Sequence, residues 1–261
     1  MTGVAVVAIG GNSLVRDGDA SVDAARAALA ETAGHLAAMA AGGWALAVTH
    51  GNGPQVGFGL LRCDAAAAVA PRLPLDVLGA ETQGSIGYLV QQALGAALAA
   101  RGVNRQVATI VTQVVVDPRD PAFSRPSKPI GPFYPRDEAA RRMSQERWTM
   151  VEDAGRGWRR VVPSPEPQAI VEAAVIRALL DQGVVVVAAG GGGIPVVRRE
   201  AGYDGIEAVV DKDLAGAVLA RDVRATLLLM SMPVERVALH YGSPAERAID
   251  VMSAHEARRY L

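Results

Sequence analysis

The sequence predicts an α/β fold, a three-layer αβα sandwich with a mainly parallel central sheet and a small protruding subdomain. Apolar runs at residues 4–9, 44–49, 107–112, 184–189 and 226–230 lack the polar alternation of a one-sided sheet, so they read as strands buried on both faces. Helical stretches lie between them, which is the pattern of right-handed βαβ units. Several of the runs end in glycine-rich turns, as strands do where they open onto a ligand in a parallel sheet.

In chain order, residues 4–9 run into Gly10-Gly11-Asn12. Ser21 is placed to cap a helix that continues to Ala41 and stops at Gly42-Gly43. Strand 44–49 leads into His50-Gly51-Asn52-Gly53, and a helix starts near Val56. A helix over 83–100 precedes strand 107–112. Residues 117–167 break the rhythm, with prolines at 118, 121, 126, 129, 132, 135, 163, 165 and 167 and charges between Arg136 and Arg160. Phe133-Tyr134 and Gly157-Trp158 make this excursion a small ordered lobe inserted in a single domain spanning 1–261. A helix over 168–182, a strand over 184–189, the turn Gly190-Gly191-Gly192-Gly193, a helix over 212–220 and a strand over 226–230 complete the reading.

Composition narrows the function. The 261 residues are 50% hydrophobic, enough for a large core. With a net charge of -1 and no basic run, the chain carries no nucleic-acid footprint, and small molecules are the expected partners. Cys63 is the only cysteine, so no intrachain disulfide can form. The glutamines and glycines of residues 82–100 fit a soluble helix better than a membrane span, and the N-terminus has no signal-peptide pattern. The expected location is the cytoplasm, with no membrane contact.

Of the 26 basic side chains only Lys128 and Lys212 are lysines. Where arginine serves every ordinary cationic role, the two lysines are either incidental surface residues or mark positions that need a compact charge on a flexible stem, able to follow a phosphoryl group. Lys212 lies in Asp211-Lys212-Asp213, which reads either as a surface helix start or as a cation held by carboxylates. Lys128 lies between Pro126 and Pro129, in a stiff loop that could present a charge or simply be rigid. A glycine pair after one strand is by itself a tight turn; three such turns on one edge make an anion cradle of backbone N–H groups. No Walker sequence and no GxGxxG turn is present, so the cradle is of another type. His35, His50, His240 and His255 have no metal-ligand spacing, and no protein metal site is expected. His50 is expected to be neutral and bonded to its own loop, and Cys63 to be buried rather than reactive.

Longer strings carry a family resemblance. Ala8-Ile9-Gly10-Gly11-Asn12, Thr49-His50-Gly51-Asn52-Gly53-Pro54-Gln55-Val56-Gly57, Pro74-Leu75-Asp76 and Thr82-Gln83-Gly84-Ser85-Ile86-Gly87-Tyr88 resemble carbamate kinases. So do Thr112-Gln113-Val114-Val115-Val116-Asp117-Pro118, Lys128-Pro129-Ile130-Gly131-Pro132-Phe133, Arg159-Arg160-Val161-Val162-Pro163-Ser164-Pro165, residues 190–197 and Glu207-Ala208-Val209-Val210-Asp211-Lys212-Asp213. The resemblance implies an amino-acid-kinase fold, a homodimer, a role in arginine metabolism, and phosphoryl transfer between carbamoyl phosphate and ADP with Mg²⁺ bridging the nucleotide phosphates. It implies that Gly10, Gly11, Asn12, Gly51, Asn52 and Gly53 cradle the phosphoryl group. Lys128 would be the cation brought by the protruding subdomain, Lys212 the cation on the transferring group, and Asp213 its orienting carboxylate. Gly190, Gly191 and Lys212 would face the nucleotide.

The resemblance departs at two places. Met232-Pro233-Val234 stands where the family reads Thr-Asp-Val beside the nucleotide, and Leu261 precedes the family's Gly-Ser-Met and Pro-Lys segment, which carries a third lysine. The alternative to an active enzyme is therefore a truncated or impaired relative that binds carbamoyl phosphate or another anion without turnover. A kinase of the same fold acting on another carboxylate, carbamate or phosphonate is the remaining reading, disfavoured by Lys128-Pro129-Ile130-Gly131.

Overall fold

The computed structural model describes residues 2–10, 21–153, 155–232 and 234–260. The elements run β1 (Gly3–Ile9), α1 (Val22–Ala41), β2 (Trp44–His50), α2 (Gly53–Ala65), α3 (Leu75–Ala100), β3 (Val107–Thr109) and β4 (Gln113–Val116). They continue through β5 (Lys128–Tyr134), α4 (Arg136–Gln145), β6 (Thr149–Glu152), β7 (Trp158–Val162), β8 (Pro167–Ile170), α5 (Ala173–Asp181) and β9 (Val185–Val187). Last come β10 (Ile194–Arg199), β11 (Gly202–Gly205), α6 (Lys212–Asp222), β12 (Leu227–Met230), β13 (Val237–Leu239), β14 (Arg247–Ile249) and α7 (Ala254–Tyr260).

The central sheet has the order β12-β1-β2-β9-β3, and every neighbouring pair in it is parallel. Its strands are apolar throughout because both faces are covered. On one side Val7, Ile9, Leu46 and Val48 pack against Leu29 and Leu36 of α1 and Val90 and Leu94 of α3. On the other, Val6, Ala47 and Val186 meet Ile176 and Leu180 of α5 and Ala215 and Leu219 of α6. Helix, sheet and helix are thus stacked as three layers, as expected. Since all strands run the same way, the ends of β1, β2 and β9 lie along one edge, and the turns after β2 and β9 meet there. A second sheet, β11-β10-β4-β8, pairs β4 with β10 in parallel and its other neighbours antiparallel.

Residues between β4 and β8 build the antiparallel sheet β5-β7-β6 with α4. Tyr134 stands opposite Trp158 in this ladder, so the two aromatic patches do meet. Arg142 of α4 is stacked on Tyr134 and Trp148 and paired with Asp64 of α2 at 2.8 Å. Residues 232–260 form a separate compact unit, in which β13 pairs with β14 and Arg236 pairs with Asp250.

Three element boundaries differ from expectation. The run 107–112 is not one strand: β3 ends at Thr109 and β4 begins at Gln113 in the other sheet, because Gln83 binds both the N–H and the carbonyl of Thr112 and turns the chain. The stretch 168–182 is not one helix, since its first residues are taken by the pairing of β8 with β4. Helix α3 starts at Leu75 rather than Gln83; its N-terminal N–H at Leu75 is capped from afar by Glu207, at 2.8 Å.

Candidate active site

Beyond β2 the chain turns at His50 and Gly51, and α2 begins after Asn52. Asn52 does not cap α2 with its side chain; its amide donates to the Thr82 hydroxyl at 2.9 Å instead. The first turn of α2, with Pro54 inside it, thus has no cap from the Asn52 side chain, and a helix N-terminus of this kind is a natural seat for an anion. His50 is 1% exposed and its Nδ1–H donates to the Gly51 carbonyl at 2.9 Å. Burial lowers its pKa to about 4 against the smaller opposing pull of that carbonyl, so the imidazole is neutral at ordinary pH, as expected.

The turn after β9 is shaped by side chains from three elements. Ala189 adopts a left-handed conformation with φ 51°, strained for a residue with a Cβ. Thr49 donates to its carbonyl at 2.8 Å and the Thr112 hydroxyl accepts its N–H at 3.0 Å. Gln83 spans the gap, its Oε1 accepting from Thr112 N–H while its Nε2 donates to the carbonyls of Thr112 and Gly190. Gly191 follows with φ 67°, and a Cβ there would collide with the Asn52 side chain, so backbone and amide meet closely only because residue 191 is glycine.

Across from these turns, Asp211 starts α6, its Oδ1 accepting from Asp213 N–H at 2.9 Å and Leu214 N–H at 3.4 Å. Lys212 is the first residue of the helix, and its Nζ donates to Asp213 Oδ1 at 2.8 Å. Lys128, the first residue of β5, reaches in to Asp211 Oδ2 at 2.7 Å.

A cavity of about 260 Å³ gathers these pieces, lined on one side by Gly51, Asn52, Gly53 and Gly191 and on the other by Lys128, Lys212 and Asp213. Residues spread from 51 to 213 in sequence therefore face one space. Two lysines, a helix N-terminus without a side-chain cap and glycine backbone give it groups of the kind that bind a phosphate-bearing anion.

The amino acid kinase family pattern matches residues 3–260. The chain belongs to the amino acid kinase family. Among amino acid kinases it groups with the carbamate kinases. It is 45% identical to the carbamate kinase of Pyrococcus horikoshii over 258 residues, covering 98% of this chain and 82% of that relative. The carbamate kinase-like protein YahI of Escherichia coli is 47% identical over 268 residues, covering 100% of this chain and 84% of that protein. Of solved structures, one from Aeropyrum pernix superposes with a TM-score of 0.93 at 42% identity, covering 98% of this chain and 83% of the other. The carbamate kinase of Giardia lamblia bound to AMP-PNP superposes with 0.88 at 40% identity, covering 95% and 79%.

Within this amino acid kinase some expected site residues stand apart from the cavity. Gly10 follows β1, close to the Ser231 carbonyl, and is not among the cavity's lining residues. Gly190 is buried under the His50 ring, where a Cβ would clash, and its carbonyl is spent on Gln83. Gly11, Asn12 and Pro233 lie outside the described residues. Met232 and Val234 are exposed. Cys63, expected to be buried, is partly exposed on α2.

Sequence reasoning missed Asp211 as the partner of Lys128, and it missed Thr49, Thr82, Gln83 and Thr112 altogether. The only signal for the last four was their presence in the quoted strings; buried polar side chains in apolar surroundings become visible as scaffolding only once the elements are packed.

Proposed function

We propose that this chain is a carbamate kinase, catalysing carbamoyl phosphate + ADP = ATP + carbamate, the carbamate then giving ammonia and CO2. The observation that carries the reading is the meeting of Lys128 and Lys212 at one cavity with the N-terminus of α2 and the Gly191 turn. In-line phosphoryl transfer needs little covalent help from the protein; it needs the donor and acceptor held in line and the charge on the equatorial oxygens neutralised. Lys212 from α6 and Lys128 from β5 supply positive charge from two different elements, and Asp213 holds the Lys212 ammonium. The N–H groups of α2 add fixed dipoles, which cost no reorganisation during transfer.

Nucleotide use is supported by the carbamate kinase of Giardia lamblia, solved bound to AMP-PNP. Gly191 and Lys212 are assigned to the nucleotide side of the cavity. Magnesium would arrive on the nucleotide phosphates, which supply most of its oxygen ligands; among the described residues no group of three or more His, Cys, Asp or Glu could hold a metal ion unaided. The sheet β5-β7-β6 with α4 is assigned as an inserted lobe over the carbamate end, since it carries Lys128. A cytoplasmic location is proposed; no helix among the described residues is long and apolar enough to cross a membrane. A homodimer through α3 is also proposed: Tyr88 is 54% exposed, and Cβ atoms added at Gly84 or Gly95 would meet open space.

The test is coupled detection of ATP from ADP, Mg²⁺ and carbamoyl phosphate. Turnover by the chain is expected, and Lys212→Ala is expected to lower kcat by about 10²- to 10³-fold, the cost of deleting one transition-state donor. A folded chain without turnover, or a fully active Lys212→Ala variant, would end this reading.

A further inference from the structure

We infer that Asp211 is a positioning residue whose one carboxylate sets both lysines, holding the Lys128 ammonium at the cavity with one oxygen and starting the helix that presents Lys212 with the other. The inference rests on the carbamate kinase reading and extends it to a residue outside the glycine turns and outside the ion pair between Lys212 and Asp213.

The geometry divides the work between the two oxygens. Oδ2 takes Lys128 Nζ at 2.7 Å, and this is the ion pair in which Lys128 takes part among the described residues. Oδ1 accepts the N–H groups of Asp213 and Leu214, which closes the first turn of α6 and fixes the backbone of Lys212 between them. The backbone leading into Asp211 is itself fixed. Val210 is 1% exposed in the core, its carbonyl lies against Gly192, where no Cβ would fit, and Val209 N–H donates to the Pro163 carbonyl at 3.0 Å. Asp211 is therefore a rigid post, and a lysine tied to it keeps little of the rotamer freedom of its four-carbon stem.

The two lysines arrive on elements far apart in sequence, β5 and α6, whose backbones are packed into place, but among the described residues the charged end of Lys128 has one ion-pair partner to fix it relative to Lys212. Asp211 is that partner. Burial alone would push its carboxyl up, but the Lys128 ammonium and the N–H donors of Asp213 and Leu214 outweigh this and keep it below the usual carboxylate range. It is consequently charged at neutral pH. A carboxylate facing the phosphate site also repels the anionic substrate, so an organising role carries a binding penalty that its neutralisation would relieve.

Asp211→Asn separates the functions, because asparagine caps helices as well as aspartate does but presents no charge to Lys128. The expected result is a kcat lowered by about ten- to a hundredfold through loss of alignment, with KM for carbamoyl phosphate unchanged or lower and the melting temperature unchanged. In the Lys128→Ala background the same substitution should cost nothing further, since the contact is already gone. A readout independent of turnover comes from the amine content: the chain has only two lysines. Acylation with an N-hydroxysuccinimide ester, followed by mass spectrometry, should proceed several-fold faster at Lys128 in Asp211→Asn while Lys212 keeps its wild-type rate. An unchanged Lys128 labelling rate would overturn the inference, whether or not the chain turns over. So would wild-type kcat in Asp211→Asn, or a loss of kcat accompanied by a lower melting temperature and faster labelling of Lys212, which would reduce Asp211 to a helix cap. An inactive wild-type chain with the expected labelling would instead remove the kinase reading and leave the positioning role standing.

Discussion

His50 shows how a single side chain can make the site sensitive to acid. Its folded pKa of about 4 lies below the ordinary 6.5, so between those values the unfolded chain binds a proton that the folded chain refuses. Stability from this group is present above pH 6.5 and is lost as pH falls toward 4, at about 1.4 kcal/mol per unit and on the order of 3 kcal/mol in all. Chemical denaturation at pH 7 and pH 4.5 should show the wild type losing more stability than His50→Gln, whose side chain does not titrate. Equal losses would mean that the imidazole has a route to solvent. The neutrality of His50 was legible from its place at a strand end; the reason for it, a ring sealed beneath Gly190, was not, because residues 50 and 190 are brought together only by β2 pairing with β9.

At the scale of elements, the contact between α2 and β5 decides where Lys128 stands. Gly57 faces Gly131, and a Cβ at 57 would lie 3.0 Å from Gly131 Cα, tighter than packed atoms tolerate. The two elements approach backbone to backbone, and Lys128 lies three positions before Gly131 on the same strand. Gly57→Val should therefore push β5 away from α2 while leaving the helix itself intact. The expected outcome is a kcat/KM for carbamoyl phosphate lowered by about tenfold or more, since displacement of roughly 1 Å in a positioned group is costly. Steady-state kinetics beside a circular dichroism spectrum would check it. Sequence pattern located α1 well, because Ser21 and Gly42 punctuate it locally. It misplaced the start of α3, because the cap on Leu75 comes from Glu207, 132 residues away.

For the molecule as a whole, the lobe built on β5, β7 and β6 is tied to the rest by ion pairs of lobe cations with carboxylates outside it. Arg142 pairs with Asp64, Arg160 lies 3.8 Å from Glu207, and Lys128 meets Asp211. Arg142 is the most buried of these, with a 9% exposed side chain between two aromatic rings, and it works as a fixed anchor. Only the Lys128 pair faces the cavity, so it is the one an anionic substrate can reach. The proposed assembly is testable at this scale as well. Sedimentation should give the mass of two chains for the wild type and of one for Tyr88→Asp, which would place a charge in the proposed α3 contact. A wild type that sediments as a single chain would remove the dimer.

The sequence by itself determined the fold class, the family and the two lysines. Apolar runs long enough to be buried on both faces, glycine turns at their ends and the scarcity of lysine are local properties that survive in a linear string. Tertiary structure alone decided that the glycine turns after β2 and β9 face one cavity, that Asp211 joins Lys128 to the start of α6, and that Gln83 holds the turn after β9. The physical reason is common to all three. Each depends on a hydrogen bond, an ion pair or a shared surface between residues distant in sequence, and their strength comes from burial, which no residue possesses until the parallel sheet is closed between its helices.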